Sequence, residues 1–379
     1  MHFIILLGIV SLFGDVTYEG ARSVIGPYLA TLGASASIVG LISGIGEFAG
    51  YALRLASGYL ADRTKAYWLF TFIGYGLLLS IPLLAFAGYW QLAAVLIILE
   101  RMGKAIRSPA RDTMLSYATK KVGRGWGFAV HEALDQVGAI IGPLVFFFVF
   151  FLGDGYREGF TLLWIPALLT MAVLAIARKK VPSPQKLEAP GEESKQGDRD
   201  KLPRVFWLYT VFTLFSVAGF ANFQLISYHL KIQSIVPDAH IPLIYAIAMG
   251  VDAVAALLAG KTYDRIGLVS LLAIPLLTLP IPFLAFSHSY SLVLMGMVLW
   301  GVVMGIQETI MRAAIADLTS VKRRGFAYGI FNTVYGVSWF LGSALIGLLY
   351  ALDINYLILF VVVMELISIP LFLLVRRAA

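Results

Sequence analysis

Along the chain, apolar residues do not alternate with polar ones; they run on in stretches of about 20, the length of helix that crosses roughly 30 Å of hydrocarbon. Six such stretches fall near 3–30, 37–61, 66–88, 90–115, 123–152 and 159–178, and six more near 204–232, 241–262, 268–287, 290–318, 324–350 and 354–376, each about one span long or slightly over. The pattern predicts an all-α membrane protein of 12 transmembrane helices. The first member of each set exceeds one crossing, so tilts or kinks are expected there, with Gly14, Gly26 and Pro27 as candidates. Between the sets, 179–203 is polar and rich in Pro and Glu, and reads as a flexible tether. The expected organisation is an N-terminal six-helix bundle over 1–178, a linker over 179–203 and a C-terminal six-helix bundle over 204–379.

The second half repeats the punctuation of the first. Gly58-Tyr59-Leu60-Ala61-Asp62-Arg63 recurs as Gly260-Lys261-Thr262-Tyr263-Asp264-Arg265, 202 positions later. Gly123-Arg124-Gly125-Trp126 recurs as Arg323-Arg324-Gly325-Phe326, and Gly142 falls on Gly342, both at an offset of 200. Two pseudo-symmetric bundles suit a protein that opens alternately to the two sides of a bilayer around a site between them.

Composition agrees: 59% of the 379 residues are hydrophobic and 13% charged, with a mean hydropathy of +0.84, beyond the soluble range. The net charge of +7 does not point to nucleic acid, because most of the 29 Lys and Arg fall in turns and ends expected on one face. The opposite loops hold only Arg157 and Lys231. By the positive-inside bias, both termini and the linker are expected in the cytoplasm, with the chain in the inner (plasma) membrane. The N-terminus lacks a basic leader and an Ala-x-Ala site, so it reads as helix 1 rather than a signal peptide. Absence of Cys removes disulfides and thiolate metal sites.

Two sets of six helices, a long tether, and Gly-x-Leu-Ala-Asp-Arg between helices 2 and 3 resemble the major facilitator superfamily over the whole chain. The resemblance implies that Gly58, Asp62, Arg63 and Lys65, echoed at Asp264 and Arg265, form a conformational latch of charge and helix-dipole contacts. Thr64 stands where the family has Gly, and the alternative is an ordinary topogenic turn. Helix 5 carries Gly138, Gly142 and Pro143 in a Gly-x-x-x-Gly-Pro run similar to one associated with exporters, although Val145, Phe146 and Phe147 follow where the family pattern has two further Gly. Small residues at that spacing also allow close helix packing. The run from Glu100 to Asp112 resembles a prokaryotic group with Gly-Lys-x-x-Arg-x-Pro-x-Arg-Asp and no agreed substrate.

Ionisable residues in hydrocarbon cost about 2.5–3.5 kcal/mol each on insertion scales, so those that persist face a cavity or a partner. Asp15, Glu19 and Arg22 share one face of helix 1, and are candidates for proton carriage or substrate contact, or else a Glu19–Arg22 pair with Asp15 bonded to backbone. Glu100, Lys104, Arg107 and Arg111 form a stripe on helix 4. Arg107 and Arg111 with Asp112, and Lys104 with them, are read as a gate near the interface; Arg101 is the residue that the resemblance implies for proton relay. His131, Glu132 and Asp135 on helix 5 suit a proton site, a structural network or a divalent-metal site. In the second half, Glu308 and Arg312 are spaced to pair, and Asn222, Gln224, Asn332, Tyr335 and Trp339 are candidates for a substrate cavity, with aromatic packing as the alternative.

No nucleotide-binding loop, His-Glu-x-x-His or Gly-x-Ser-x-Gly is present, so neither a motor, a cofactor nor an enzyme is expected. The expected function is a secondary transporter, a proton-coupled exporter of a small organic molecule, working as a monomer in the lipid bilayer. A divalent-metal exporter of ferroportin type and an organic-anion uptake symporter are the alternatives.

Overall fold

The computed structural model describes residues 1–119, 124–187, 202–319 and 324–378, and among these it is helical almost throughout. The helices are α1 (His2–Arg22), α2 (Ile25–Thr31), α3 (Ala36–Thr64), α4 (Tyr67–Leu77), α5 (Trp90–Thr119), α6 (Arg124–Phe151), α7 (Tyr156–Leu162), α8 (Trp164–Lys180), α9 (Arg204–Ala218), α10 (Phe223–Ile232), α11 (His240–Ile266), α12 (Ala273–Thr278), α13 (Ile281–Ala285), α14 (Tyr290–Leu318), α15 (Arg324–Leu352) and α16 (Ile354–Ala378). Length and hydropathy mark 10 stretches of the described residues as able to cross a membrane. One of them, His240–Ala285, is 46 residues long and joins α11 to α13. The 30-residue α5 is absent from that set because Glu100 to Asp112 loads it with charge. Of the tether expected at 179–203, 188–201 lie outside the described residues; Lys179 and Lys180 end α8, and Pro184–Leu187 form a turn of 3-10 helix.

The expected kink at Gly14 is not a break: α1 is continuous through it. The helix breaks instead at Ser23 and Val24, because the ring of Pro27 is incompatible with the carbonyl four residues earlier in an unbroken helix. The second long segment breaks between α9 and α10. There Asn222 caps α10, its Oδ1 accepting from the Leu225 N–H at 2.8 Å, and Trp300 Nε1 donates to the Ala221 carbonyl at 2.9 Å.

The chain forms two compact units. The first contains Met1–Gly33, Ala49–Glu193 and Asp238–Ala246; the second contains Ala34–Phe48, Ser194–Pro237 and Ile247–Ala379. Glycines set the packing inside each. In the first, a Cβ on Gly142 of α6 would lie 2.5 Å from the Val16 carbonyl and 2.6 Å from the Gly20 N of α1, so only bare backbone fits. A Cβ on Gly74 of α4 would lie 2.6 Å from the Gly103 carbonyl of α5. In the second unit a Cβ on Gly342 of α15 would lie 2.7 Å from Ala218 Cα of α9, and one on Gly305 of α14 would meet the Asp252 carbonyl of α11 at 2.6 Å.

Candidate functional site

The tight crossings of α1 with α6 and of α4 with α5 bring polar side chains together inside the first unit. On α1, Glu19 and Arg22 are buried and pair at 3.5 Å. The second carboxylate oxygen of Glu19 accepts from Tyr245 Oη of α11 at 2.6 Å. Asp15 is half-buried beside Gly138. Tyr18, one residue before Glu19, carries three cations around its ring: Lys104 Nζ at 4.1 Å, Arg101 Cζ at 4.6 Å and Arg22 Cζ at 5.9 Å from the centroid.

On α5, Glu100 is 1% exposed and pairs with Arg107 at 3.3 Å. Arg107 also donates to the Gly74 carbonyl at 3.4 Å and lies over the Tyr75 ring at 4.8 Å. This corrects the expectation that Arg107 reaches toward the interface for a carboxylate such as Asp112: it turns inward, two helical turns back to Glu100. Arg111 does pair with Asp112, at 3.0 Å, and it donates to Ser11 Oγ of α1 at 2.8 Å. Ser11 in turn lies 3.1 Å from His131 Nε2 of α6 and 3.3 Å from Tyr75 Oη of α4. One small hydroxyl therefore links four helices.

His131 is buried, Asp135 half-buried and Glu132 exposed. Each offers one ligand atom, and these atoms lie within 4.8 Å of one another. The trio has the donor chemistry for a divalent cation, but Arg111 shares Ser11 with His131 and brings positive charge to the same place.

In the second unit the sequence-predicted residues separate. Asn222 and Gln224 are buried at the α9–α10 break, with Asn222 spent on the cap described above. Tyr335 donates to Gln307 Oε1 at 3.2 Å and stacks on Trp339, ring centroids 6.4 Å apart at 20°. Trp339 meets Phe220 at 6.2 Å, and Phe220 stacks on Trp300 at 5.5 Å. Asn332 is half-buried, while Glu308 and Arg312 are both exposed and form no ion pair with each other among the described residues. Their expected mutual pairing is therefore not formed; the Arg312 carbonyl accepts from Tyr328 Oη at 2.9 Å. Glu365 of α16 is fully buried and, among the described residues, accepts only from Ser368, at 3.3 Å.

At the turn after α3, Asp62 accepts from Tyr67 Oη at 3.1 Å, and Tyr67 lies 3.2 Å from Tyr117 Oη of α5. Gly58 packs on Pro109, Arg63 is exposed, and Lys65 takes a positive φ of 55° to make the turn. In the second copy Asp264 and Arg265 are exposed, and it is Tyr263 that bonds, donating to Asp317 at 2.6 Å.

Sequence reasoning missed Ser11, Tyr18, Tyr75, Gln307 and Tyr245. Ser11 and Tyr18 were within reach, because they extend the Asp15, Glu19 and Arg22 stripe at spacings of four and three. Tyr245 was not, since nothing local marks a residue 226 positions from its partner.

The family model described as Major Facilitator Superfamily matches residues 6–306 and 231–379. A protein of unassigned function from Mycobacterium tuberculosis is 42% identical over 381 residues, covering 99% of this chain and 93% of its own length. An MFS-type transporter of unassigned substrate from Methanocaldococcus jannaschii is 27% identical over 375 residues, covering 96% and 92%. Among solved structures, the nucleoside transporter NupG aligns with a TM-score of 0.75 at 14% identity, over 100% of this chain and 99% of that one, a likeness of fold alone.

Proposed function

We propose, from the premise that this chain belongs to the Major Facilitator Superfamily of membrane transporters, that it is a proton-coupled exporter of a small organic molecule. The multi-pass chain would form 12 spans in two six-helix bundles, 1–178 and 204–379, joined by a linker over 179–203 and working as a monomer. Its termini would lie on the cytoplasmic side, where most Lys and Arg of the turns fall.

The observation that carries the reading is the concentration of buried ionisable groups on α1, α5 and α6 of the first unit. A purely structural bundle has no use for so many, given their cost in hydrocarbon. Two of the buried acids there hold a cation whose pairing depends on their charge: Glu19 with Arg22 and Glu100 with Arg107. Protonating an acid releases its cation, so the set of ion pairs changes with the load of protons, and so does the balance between two arrangements of the bundle. Asp15, Glu19, Glu100, Arg101, His131, Glu132 and Asp135 are the proposed coupling groups, with Arg107 as the partner of Glu100, and Lys104, Arg111 and Asp112 the proposed gate. Asp62, Arg63 and Lys65 are the proposed latch. Asn222, Gln224, Asn332, Tyr335 and Trp339 would contact substrate. Export rests on Gly138, Gly142 and Pro143, the run similar to that of exporters.

A second reading, divalent-metal export, is favoured by the His131, Glu132 and Asp135 trio and opposed by Arg111. The test is transport by purified protein in liposomes against organic cations, organic anions, sugars and divalent metals, with a pH-sensitive dye inside. Proton flux tied to an organic ligand and lost in Asp15→Asn or Glu19→Gln is expected. Ligand flux without proton movement would remove the coupling assignment, and flux of metal alone would replace the cargo.

A further inference from the structure

We propose that the second unit binds one anionic phospholipid, its acyl chain lying in an apolar groove along α11 and its phosphate on Lys261 and Arg265. The groove has a volume of 820 Å³ and lies between α11 and residues 269–276, backed by Val302, Ile306 and Ile310 of α14. Along α11 its lining runs from Ile247 to Ile266, about 28 Å of helix at 1.5 Å per residue, an elongated shape suited to a flexible chain.

Its chemistry excludes a polar cargo. Thr262 and Ser270 are the only lining residues with polar side chains, and both hydroxyls are spent on nearby backbone carbonyls, Thr262 on Leu258 at 2.8 Å and Ser270 on Gly267 at 2.7 Å. The rest is aliphatic, and much of it is open on the outer surface: Val254 is 58% exposed and Leu258 60%. In a span that crosses a bilayer, such a surface is filled by lipid tails, since dispersion contacts left unmade along a groove are lost outright.

What selects the headgroup is the end of the groove. Val254, Leu258, Lys261 and Arg265 are spaced four, three and four, so the apolar stripe of α11 runs directly into two basic residues on the same helical face. Both are exposed, and neither makes an ion pair among the described residues. Asp264 falls off that stripe. The first copy of this turn differs: there Asp62 accepts from Tyr67, whereas the matching place 202 positions on holds Val269, which has no hydroxyl to donate. Lys261 and Arg265, exposed at the end of the groove, offer the donors that a phosphate needs, and Arg recognises it through paired N–H groups.

The test uses native mass spectrometry of the full chain in mild detergent, incubated with equal amounts of phosphatidylglycerol and phosphatidylcholine of the same acyl chains. The wild type is expected to retain one phosphatidylglycerol in preference. Each basic residue near a bilayer surface contributes about fivefold, so Lys261→Gln/Arg265→Gln should cut that preference roughly 25-fold. Leu258→Trp, which fills the groove, should lose both lipids. Arg376→Gln/Arg377→Gln, an exposed basic pair elsewhere, should match the wild type. Equal retention of both lipids by the wild type, an unchanged preference in the 261/265 variant, or an equal loss in the 376/377 variant would each overturn the proposal. The readout needs no transport, so its failure is separate from any failure of the exporter reading.

Discussion

Two buried carboxylates, Glu100 and Glu365, should respond unequally to the same substitution. Glu100 is 1% exposed and holds Arg107 at 3.3 Å, and Arg107 is itself 2% exposed. Glu100→Gln removes the counter-charge and strands a guanidinium whose remaining contacts are the Gly74 carbonyl and the Tyr75 ring. Breaking a buried pair from one side costs about 3–5 kcal/mol; those two contacts and the surviving amide oxygen argue for the lower end. Glu365 is 0% exposed, and its carboxylate is bonded by Ser368, whose hydroxyl is shared with the Glu365 carbonyl at 2.8 Å. It makes no ion pair among the described residues. Gln at 365 keeps the shape and the bond to Ser368, so the change should stay within about 1 kcal/mol. The assay is the thermal midpoint of the detergent-solubilised full chain, followed by monodisperse size-exclusion peak height. Glu100→Gln should melt several degrees below the wild type and Glu365→Gln close to it. Glu100→Gln/Arg107→Gln should recover much of the loss, because removing a whole buried pair is far cheaper than halving it. If Glu365→Gln falls as far as Glu100→Gln, or if the double variant is worse than the single, the pairing argument fails.

Other consequences follow from the same geometry. Gly142→Ala places a methyl 2.5 Å from the Val16 carbonyl and 2.6 Å from the Gly20 N, both backbone atoms that cannot rotate away, at a cost of about 1–3 kcal/mol. Gly76→Ala, with nothing within 4 Å, is the control, and equal melting of the two would refute the tight crossing. Tyr245→Phe deletes a 2.6 Å bond to Glu19 and should cost about 1.5–3 kcal/mol, read as a lower midpoint; an unchanged one would mean that Arg22 alone satisfies the acid. Trp300→Phe removes the 2.9 Å bond to the Ala221 carbonyl, so amide exchange at 219–222 should rise while exchange in the middle of α14 stays slow.

How far the sequence can be read depends on whether a signal is local. The Asp15–Glu19–Arg22 stripe follows from neighbours three or four apart, and the Glu19–Arg22 pair sits where that spacing puts it. Depth is not local. By its place toward the charged end of α5, Arg107 reads as reaching out, yet Gly74 lets α4 close over it and its nearest acid is seven residues back. A kink somewhere in 204–232 follows from its length, but its place at Gly219–Asn222 does not: Gly-Phe-Ala-Asn looks like part of an apolar run, and what stabilises the gap is Trp300, 79 residues away. Glu308 and Arg312 have the right spacing for a pair and, among the described residues, do not make one with each other; exposed partners at that spacing gain little.

The repeat explains why one chain holds two such different interiors. Gly142 and Gly342 occupy matching positions and do the same work, seating α6 on α1 in the first unit and α15 on α9 in the second. Each crossing needs bare backbone, so the glycines could not change without separating the helices. The side chains one to three turns away were under no such constraint. At the position of His131, which bonds Ser11 in the first unit, the second has Phe331, lying flat against Tyr209 with ring centroids 6.1 Å apart at 7°. Where Asp135 stands, the second has Tyr335 on Gln307. The same register therefore presents titratable groups in one unit and aromatic faces with an amide in the other. Under the proposed function, proton handling consequently falls to the first unit, and contacts to an uncharged part of a substrate to the second.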